Sequence, residues 1–212
     1  VNRGGTPLNK QEMRNALYRG RCTRMLDKLC CSPEFLIATG RSINKERMKD
    51  QYVVLRAMAF LMLHRGEFKD IPALQYRGDI DDFLARFMVY VNDNAPEKLI
   101  VDYENLFIRC MQISYDLLGE NGFRFSGNGI KIHRERALMT ALKMAAVMFA
   151  AYLFSFVPEK IDYTWASRLI LDIESVKEEF DDSRYFSGNI DSTTSVSFRF
   201  DRMDKIINRI QL

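Results

Sequence analysis

The sequence has few of the residues that interrupt a folded chain. Only 5 prolines and 11 glycines occur among its 212 residues, which argues against long disordered or low-complexity tracts. Apolar residues make up 47% of the chain and charged residues 28%, so there is enough apolar surface to form a core. No internal repeat of solenoid-like period is visible. The composition therefore predicts a globular protein of one large domain or two small ones.

Cysteine and histidine are also scarce. The four cysteines are Cys22, Cys30, Cys31 and Cys110. No CxxC pair occurs among them, and the two histidines, His64 and His133, lie far apart in different segments. A zinc site needs four converging ligands at workable spacing, which this pattern does not offer. We therefore predict no metal site, and buried reduced thiols that favour a cytoplasmic compartment.

The common catalytic motifs are absent from the sequence. No Gly-x-Ser-x-Gly elbow occurs, and the glycine-rich residues 122–129 lack the Lys-Ser/Thr pair of a phosphate-binding loop. The two isolated histidines cannot build an HNH-type nuclease centre. Asp79, Asp81 and Asp82 are interpreted as the start of a helix, where carboxylates are favoured, rather than as metal ligands. We predict neither catalytic residues nor a cofactor in this segment.

The apolar pattern is helical almost throughout. Asn9 followed by Glu12 predicts a capping box, and Ser32-Pro33 predicts another helix start. Apolar residues recur every three or four positions from Met48 to Met62, before Gly66. Further helices are predicted at residues 80–92, 96–118, 134–156, 158–180 and 202–210. Residues 185–197 are predicted to form a polar loop, with a short extended stretch at residues 196–198.

These elements predict an all-α fold in which residues 9–212 form an irregular bundle of about eight helices around a central apolar helix. Residues 134–156 are the candidate for that central helix. Their apolar run approaches the length that a bilayer requires, but Lys143 interrupts it and no second span follows. A buried helix is therefore favoured over a membrane span.

The net charge of +3 hides an uneven distribution. Residues 1–49 contain 11 Lys and Arg against 4 Asp and Glu, whereas residues 50–212 carry a net negative charge. Basic side chains at helical spacing can neutralise nucleic-acid phosphates. The candidates in this stretch are Lys10, Arg14, Arg21 and Arg24. The alternative is a basic face that docks on an acidic domain or maintains solubility.

Residues 1–16, VNRGGTPLNKQEMRNA, resemble the signature that closes the ParB/sulfiredoxin-like domain in the family called domain of unknown function 262. This family includes the N-terminal domains of GmrSD-type restriction enzymes. Residues 47–60, beginning Arg47-Met48-Lys49-Asp50, resemble the helix that follows in many members. Asp81-Asp82-Phe83-Leu84 and Phe87-Met88 also fit the family pattern, and the glycine-rich residues 122–129 and residues 195–200 are looser matches. The resemblance spans most of the chain and is specific in its first 60 residues.

The resemblance implies the helical C-terminal part of a ParB-like, DNA-acting protein of restriction or anti-phage type. Residues 1–8 would then be the tail of a ParB-like domain or a linker, and the chain a piece of a longer protein. Asn2 and Arg3 would line the active pocket of that parent and join the basic residues in phosphate binding. DNA and the N-terminal ParB-like domain are the implied partners. Nucleotide and divalent metal would belong to the catalytic half, which this segment lacks.

A second interpretation stays open from the sequence alone. The chain could be a helical interaction or dimerisation module, for example of a homodimer, without a nucleic-acid role. Its candidate surfaces are the phenylalanine-rich residues 83–87 and 154–156.

Overall fold

The computed structural model describes residues 7–41, 43, 45–118 and 191–210. No strand occurs in these ranges, which confirms the predicted all-α class. The α-helices are α1 (Lys10–Leu17), α2 (Arg21–Cys30), α3 (Pro33–Ala38), α4 (Lys49–His64), α5 (Ile80–Asp93), α6 (Glu97–Leu118) and α7 (Thr193–Ile210). Short 3-10 helices span Glu46–Met48 and Pro72–Leu74. The helices predicted at residues 134–156 and 158–180, and the glycine-rich residues 122–129, lie outside the described ranges.

Three of the predicted helix starts are confirmed by their capping contacts. The Asn9 side chain accepts hydrogen bonds from two backbone N–H groups of α1, and the Glu12 carboxylate accepts one from the Asn9 N–H at 2.6 Å. Ser32 caps α3, and Asp79 caps α5 by accepting from the Asp82 N–H at 3.0 Å. Each contact satisfies N–H groups that a helix start leaves without intrahelical partners. The acidic run that begins at Asp79 therefore starts a helix, as predicted.

Helix α4 is the most deeply buried helix in the described part of the chain. All of residues 53–62 are buried, including the side chain of Arg56. Helices α2 and α5 pack against α4, while α6 packs against α3 and α2. Within the described ranges, no helix is both long and apolar enough to cross a membrane.

Aromatic rings from α4, α5 and the segment between them form the centre of the core. Phe83 is fully buried, with its ring centroid 5.2 Å from Phe60, 5.5 Å from Tyr76 and 6.3 Å from Phe68, all in edge-to-face arrangements. Phe87 is also fully buried. The prediction of an interaction surface at residues 83–87 is therefore wrong, because the apolar face of α5 points into the core.

The prediction of a loop at residues 185–197 is wrong for the described residues 191–197, where helix α7 begins. The helix begins at Thr193, and residues 196–198 are helical rather than extended. The Ser192 side chain accepts a hydrogen bond from the N–H three residues later at 3.1 Å, so the serine starts a helix here. Phe200 then reaches α4, where its ring stacks on His64 with centroids 4.2 Å apart. The aromatic contact adds tertiary stabilisation to a polar helix start.

The cysteine prediction is confirmed for three of the four residues. Cys22, Cys30 and Cys110 are buried free thiols, and burial raises the pKa of Cys22 and of Cys110 to about 12. Such thiols stay protonated at neutral pH. Cys31 is exposed, contrary to the prediction, because it follows the last residue of α2 as the helix cap.

The side chain of Asn92, on α5, forms hydrogen bonds with the connection between α1 and α2. Its Oδ1 accepts a hydrogen bond from the Cys22 N–H at 2.8 Å, and its Nδ2 donates to the Tyr18 carbonyl at 2.9 Å. Gly20 leaves the necessary space, since a Cβ there would lie 2.6 Å from Asn92 Oδ1.

Replacing Asn92 with alanine is expected to lower the free energy of unfolding by about 1–2 kcal/mol, because two backbone groups lose their partners. Chemical denaturation would measure the loss. The matched control is Asp93→Ala, an exposed neighbour for which a change within about 0.5 kcal/mol is expected. Equal effects of the two substitutions would contradict a specific role for Asn92.

Candidate nucleic-acid interface

A cleft with a volume of about 360 Å³ opens between the start of α1 and the start of α4. We call it the basic cleft, because four cationic side chains and one carboxylate line it. Its lining residues are Asn9, Lys10, Gln11, Arg14, Arg47, Lys49, Tyr52 and Asp81.

Arg14 forms the buried wall of the basic cleft. Only 5% of the residue is exposed, and its guanidinium donates to Asp81 Oδ1 at 2.8 Å. Two further hydrogen bonds go to Gln11 Oε1 at 3.1 and 3.0 Å. The guanidinium carbon also lies 5.4 Å from the ring centroid of Tyr52. These contacts fix Arg14 in place, so its charge is preorganised within the fold.

Asp81 joins two of the cations in the cleft. Its carboxylate accepts hydrogen bonds from Lys10 Nζ and Arg14 Nη1. Partial burial alone would raise the pKa of Asp81, but these hydrogen bonds outweigh it and hold the pKa below its ordinary value. The hydrogen bond between Lys10 and Asp81 also raises the pKa of Lys10. Both groups are therefore charged at neutral pH.

Arg47 connects the two walls of the cleft. Its Nη2 donates to the Pro7 carbonyl at 2.6 Å and to Glu12 Oε2 at 3.2 Å, while its own carbonyl accepts from Asn9 Nδ2 at 2.7 Å. The Asn9 N–H and then Arg47 lower the pKa of Glu12 through their hydrogen bonds. The turn before α4 is thus attached to the capping box of α1.

The backbone before α4 is strained. Arg47 and Met48 both adopt the left-handed conformation, with φ of 58° and 57°. This conformation costs about 1–2 kcal/mol for a residue with a side chain, so the surrounding contacts must stabilise it. Asn9 bonds to the Arg47 carbonyl, and Asn15 Nδ2 contacts the Met48 sulfur at 3.2 Å. The strained turn lets Arg47 and Lys49 line the cleft together.

The start of α4 adds to the positive potential of the cleft. Lys49 is the first residue of this helix, and within the described ranges its side chain forms no hydrogen bond or ion pair. A cation is unfavourable at the positive end of a helix dipole, whereas a bound anion there is favourable. The dipole and the Lys49 ammonium therefore attract the same class of ligand, an anion.

The sequence-predicted phosphate-binding residues have different surroundings. Lys10 and Arg14 lie in the basic cleft, and Lys10 has 71% of its side chain exposed. Arg24 is exposed on α2 outside the cleft, and its side chain has no hydrogen-bond or ion-pair partner among the described residues. Asn2 and Arg3 lie outside the described ranges.

Arg21, also predicted to face DNA, contacts the junction of α5 and α6. Its guanidinium donates to the carbonyls of Val91 and Ala95 and forms an ion pair with Glu97 at 2.9 Å. Its charge is therefore used within the fold to satisfy carbonyls at the end of α5.

Arg47, Lys49 and Tyr52 are cleft residues that the sequence reasoning did not select. Arg47 and Lys49 belong to the basic excess of residues 1–49 and to the second stretch of family resemblance. Those two signals could have identified both cations. The left-handed turn that brings them to α1 has no equally clear sequence signal, because neither Arg47 nor Met48 is a glycine.

The described residues define an all-α protein with a basic surface cleft. No group of three or more His, Cys, Asp and Glu in these ranges is arranged to hold a metal ion. Comparison with known proteins finds no matching family model, no similar curated protein and no similar solved structure. The family resemblance therefore stays a prediction, and the functional argument depends on the cleft.

Proposed function

We propose that this chain is the helical part of a ParB-like, DNA-acting protein of restriction or anti-phage type, and that its basic cleft binds DNA phosphates. One observation carries the proposal: three of the stretches that resemble the family meet at this cleft. The first supplies Lys10 and Arg14, the second Arg47 and Lys49, and the third Asp81. These stretches are far apart in the sequence, so their convergence points to a shared site.

The chemistry of the cleft suits phosphate oxygens. Arginine offers a planar fork of donors and lysine a mobile point charge, and both make strong charge-assisted hydrogen bonds to phosphate. Lys10, Arg47 and Lys49 are exposed and can reach a ligand at the surface, whereas Arg14 is fixed below them. Binding and positioning of DNA is the role we assign to this segment. Nucleotide-dependent cleavage would belong to the ParB-like catalytic half.

Binding to DNA across a salt series tests the proposal. The affinity of the 212-residue chain for a fluorescently labelled duplex should fall log-linearly with salt. The double variant Arg47→Gln/Lys49→Gln should bind about 10-fold to 100-fold more weakly at low salt, with the slope reduced by about 2, because two phosphate contacts are lost.

The matched control is Lys69→Gln/Lys98→Gln, which removes the same charge from two exposed lysines outside the cleft. Its affinity should stay within about threefold of that of the 212-residue chain without substitutions (the parent chain), since salt screening weakens the effect of charges far from the cleft. Equal losses in both double variants would contradict the cleft as the binding site. No binding by the parent chain at low salt would favour the interaction-module interpretation, which a concentration-dependent mass would then support.

A further inference from the structure

One carboxylate lies among the cations of the basic cleft. Asp81 Oδ1 accepts from Arg14 Nη1 at 2.8 Å, and Asp81 Oδ2 accepts from the Lys10 ammonium. Two oxygens of one acidic group thus bridge an arginine and a lysine. Phosphate oxygens bind the same pair of donors in the same manner.

We infer that Asp81 sets the affinity of the basic cleft for phosphate, because its carboxylate occupies the position that a DNA phosphate takes between Lys10 and Arg14. This inference rests on the proposed function. A phosphate that enters the cleft replaces Asp81 as the partner of both cations. Asp81 therefore acts as an internal competitor and keeps DNA binding weaker than the four cations alone would make it.

The surroundings of Asp81 allow this exchange. Its side chain is 33% exposed. Among the described residues, only Lys10 and Arg14 donate hydrogen bonds to it. Asp81 does not cap α5, since Asp79 performs that role. Its side chain can thus move toward solvent without opening the first turn of the helix.

The cations stay in position when Asp81 leaves. Arg14 retains its two hydrogen bonds to Gln11 and its contact with the Tyr52 ring. Lys10 has a long, exposed side chain that follows the ligand. The phosphate therefore meets a preorganised arginine and an adaptable lysine, and the main cost of binding is the displacement of Asp81.

The variant Asp81→Asn tests the inference. It keeps the shape of the side chain but removes its charge, so it competes less well for the two cations. We expect about tenfold tighter binding to the labelled duplex, because the phosphate no longer has to displace a charged competitor from Lys10 and Arg14. Asp81→Ser, a shorter uncharged variant, should change binding in the same direction.

The matched control is Asp82→Asn, which removes the same charge from the same helical turn. Asp82 pairs with Arg86 at 2.7 Å and does not line the basic cleft. Its affinity for the duplex should stay within about threefold of the parent chain. Thermal unfolding of each variant, followed by circular dichroism, establishes that the compared proteins are folded.

The outcomes separate the inference from the proposed function. Tighter binding by both Asp81 variants, but not by Asp82→Asn, supports it. If the parent chain binds DNA and Asp81→Asn binds equally or more weakly, or if Asp82→Asn tightens binding as much, the inference fails while the proposed function stands. If both Asp81 variants unfold, Asp81 is a structural residue and the inference also fails. If the parent chain and the folded variants all fail to bind, the proposed function itself is wrong.

Discussion

Replacing Phe83 with alanine is expected to lower the free energy of unfolding by about 4 kcal/mol, the typical loss for a buried phenylalanine. Phe83 is fully buried, and rings from Phe60, Phe68 and Tyr76 surround it. Alanine would leave a cavity that these rings can fill only in part. Since a domain of this kind has a total stability of about 5–15 kcal/mol, the loss is a large fraction of the whole.

Urea unfolding monitored by circular dichroism measures this effect as a lower midpoint at an unchanged slope. Two control substitutions, each with a smaller expected loss of stability, are measured beside it. Phe83→Leu retains most of the volume and should cost less than half as much, and Val89→Ala, at an exposed position on the same helix, should cost less than about 1 kcal/mol. A loss below about 1 kcal/mol for Phe83→Ala would show that this ring cluster is not the centre of the core.

The sequence predicts the described helices best where a local signal determines the structure. The caps at Asn9, Ser32 and Asp79 need only residues within one helical turn, and all three are present. Periodicity also indicates that Phe83 and Phe87 lie on one face of α5. It cannot distinguish a face that packs into the core from one that binds a partner, because both are apolar. That distinction depends on which elements cover the face.

The start of α7 was missed for a related physical reason. Serine and threonine occur both in loops and at helix starts, since their hydroxyl groups bond to nearby backbone N–H groups in either setting. Ser192 makes this bond at a helix start. The contact of Phe200 with His64, far away in the sequence, then favours the helical conformation of the first turns.

The composition of the basic cleft was only partly predictable, because a sequence shows how many charged residues are present but not which of them form ion pairs. Arg14 and Arg21 contribute to the basic excess of residues 1–49, yet Asp81 pairs with the first and Glu97 with the second. Both partners lie more than 60 positions away. Lys49 has no such partner among the described residues. Tertiary structure therefore decides which cations can bind a ligand.

Replacing Arg14 with methionine is expected to lower the free energy of unfolding by about 2–3 kcal/mol, because a buried guanidinium, its ion pair with the half-buried Asp81 and its hydrogen bonds are lost. Methionine keeps the length and apolar stem of the side chain. The control Lys10→Met removes the exposed partner of the same carboxylate and should cost less than about 1 kcal/mol. Similar losses for both would contradict a special role for the buried guanidinium.

The pH dependence of the free energy of unfolding distinguishes the contribution of the Arg14 charge from that of its packing contacts. Because the folded state holds the pKa of Asp81 below its ordinary value of about 3.9, the stabilisation by this pair is complete above that value. It is lost as the pH falls through the folded pKa, where Asp81 becomes protonated in the parent chain. The stability difference between the parent chain and Arg14→Met should therefore narrow as the pH falls below about 4. A difference that stays constant over this range would mean that contacts with Gln11 and Tyr52, rather than the ion pair, make Arg14 stabilising.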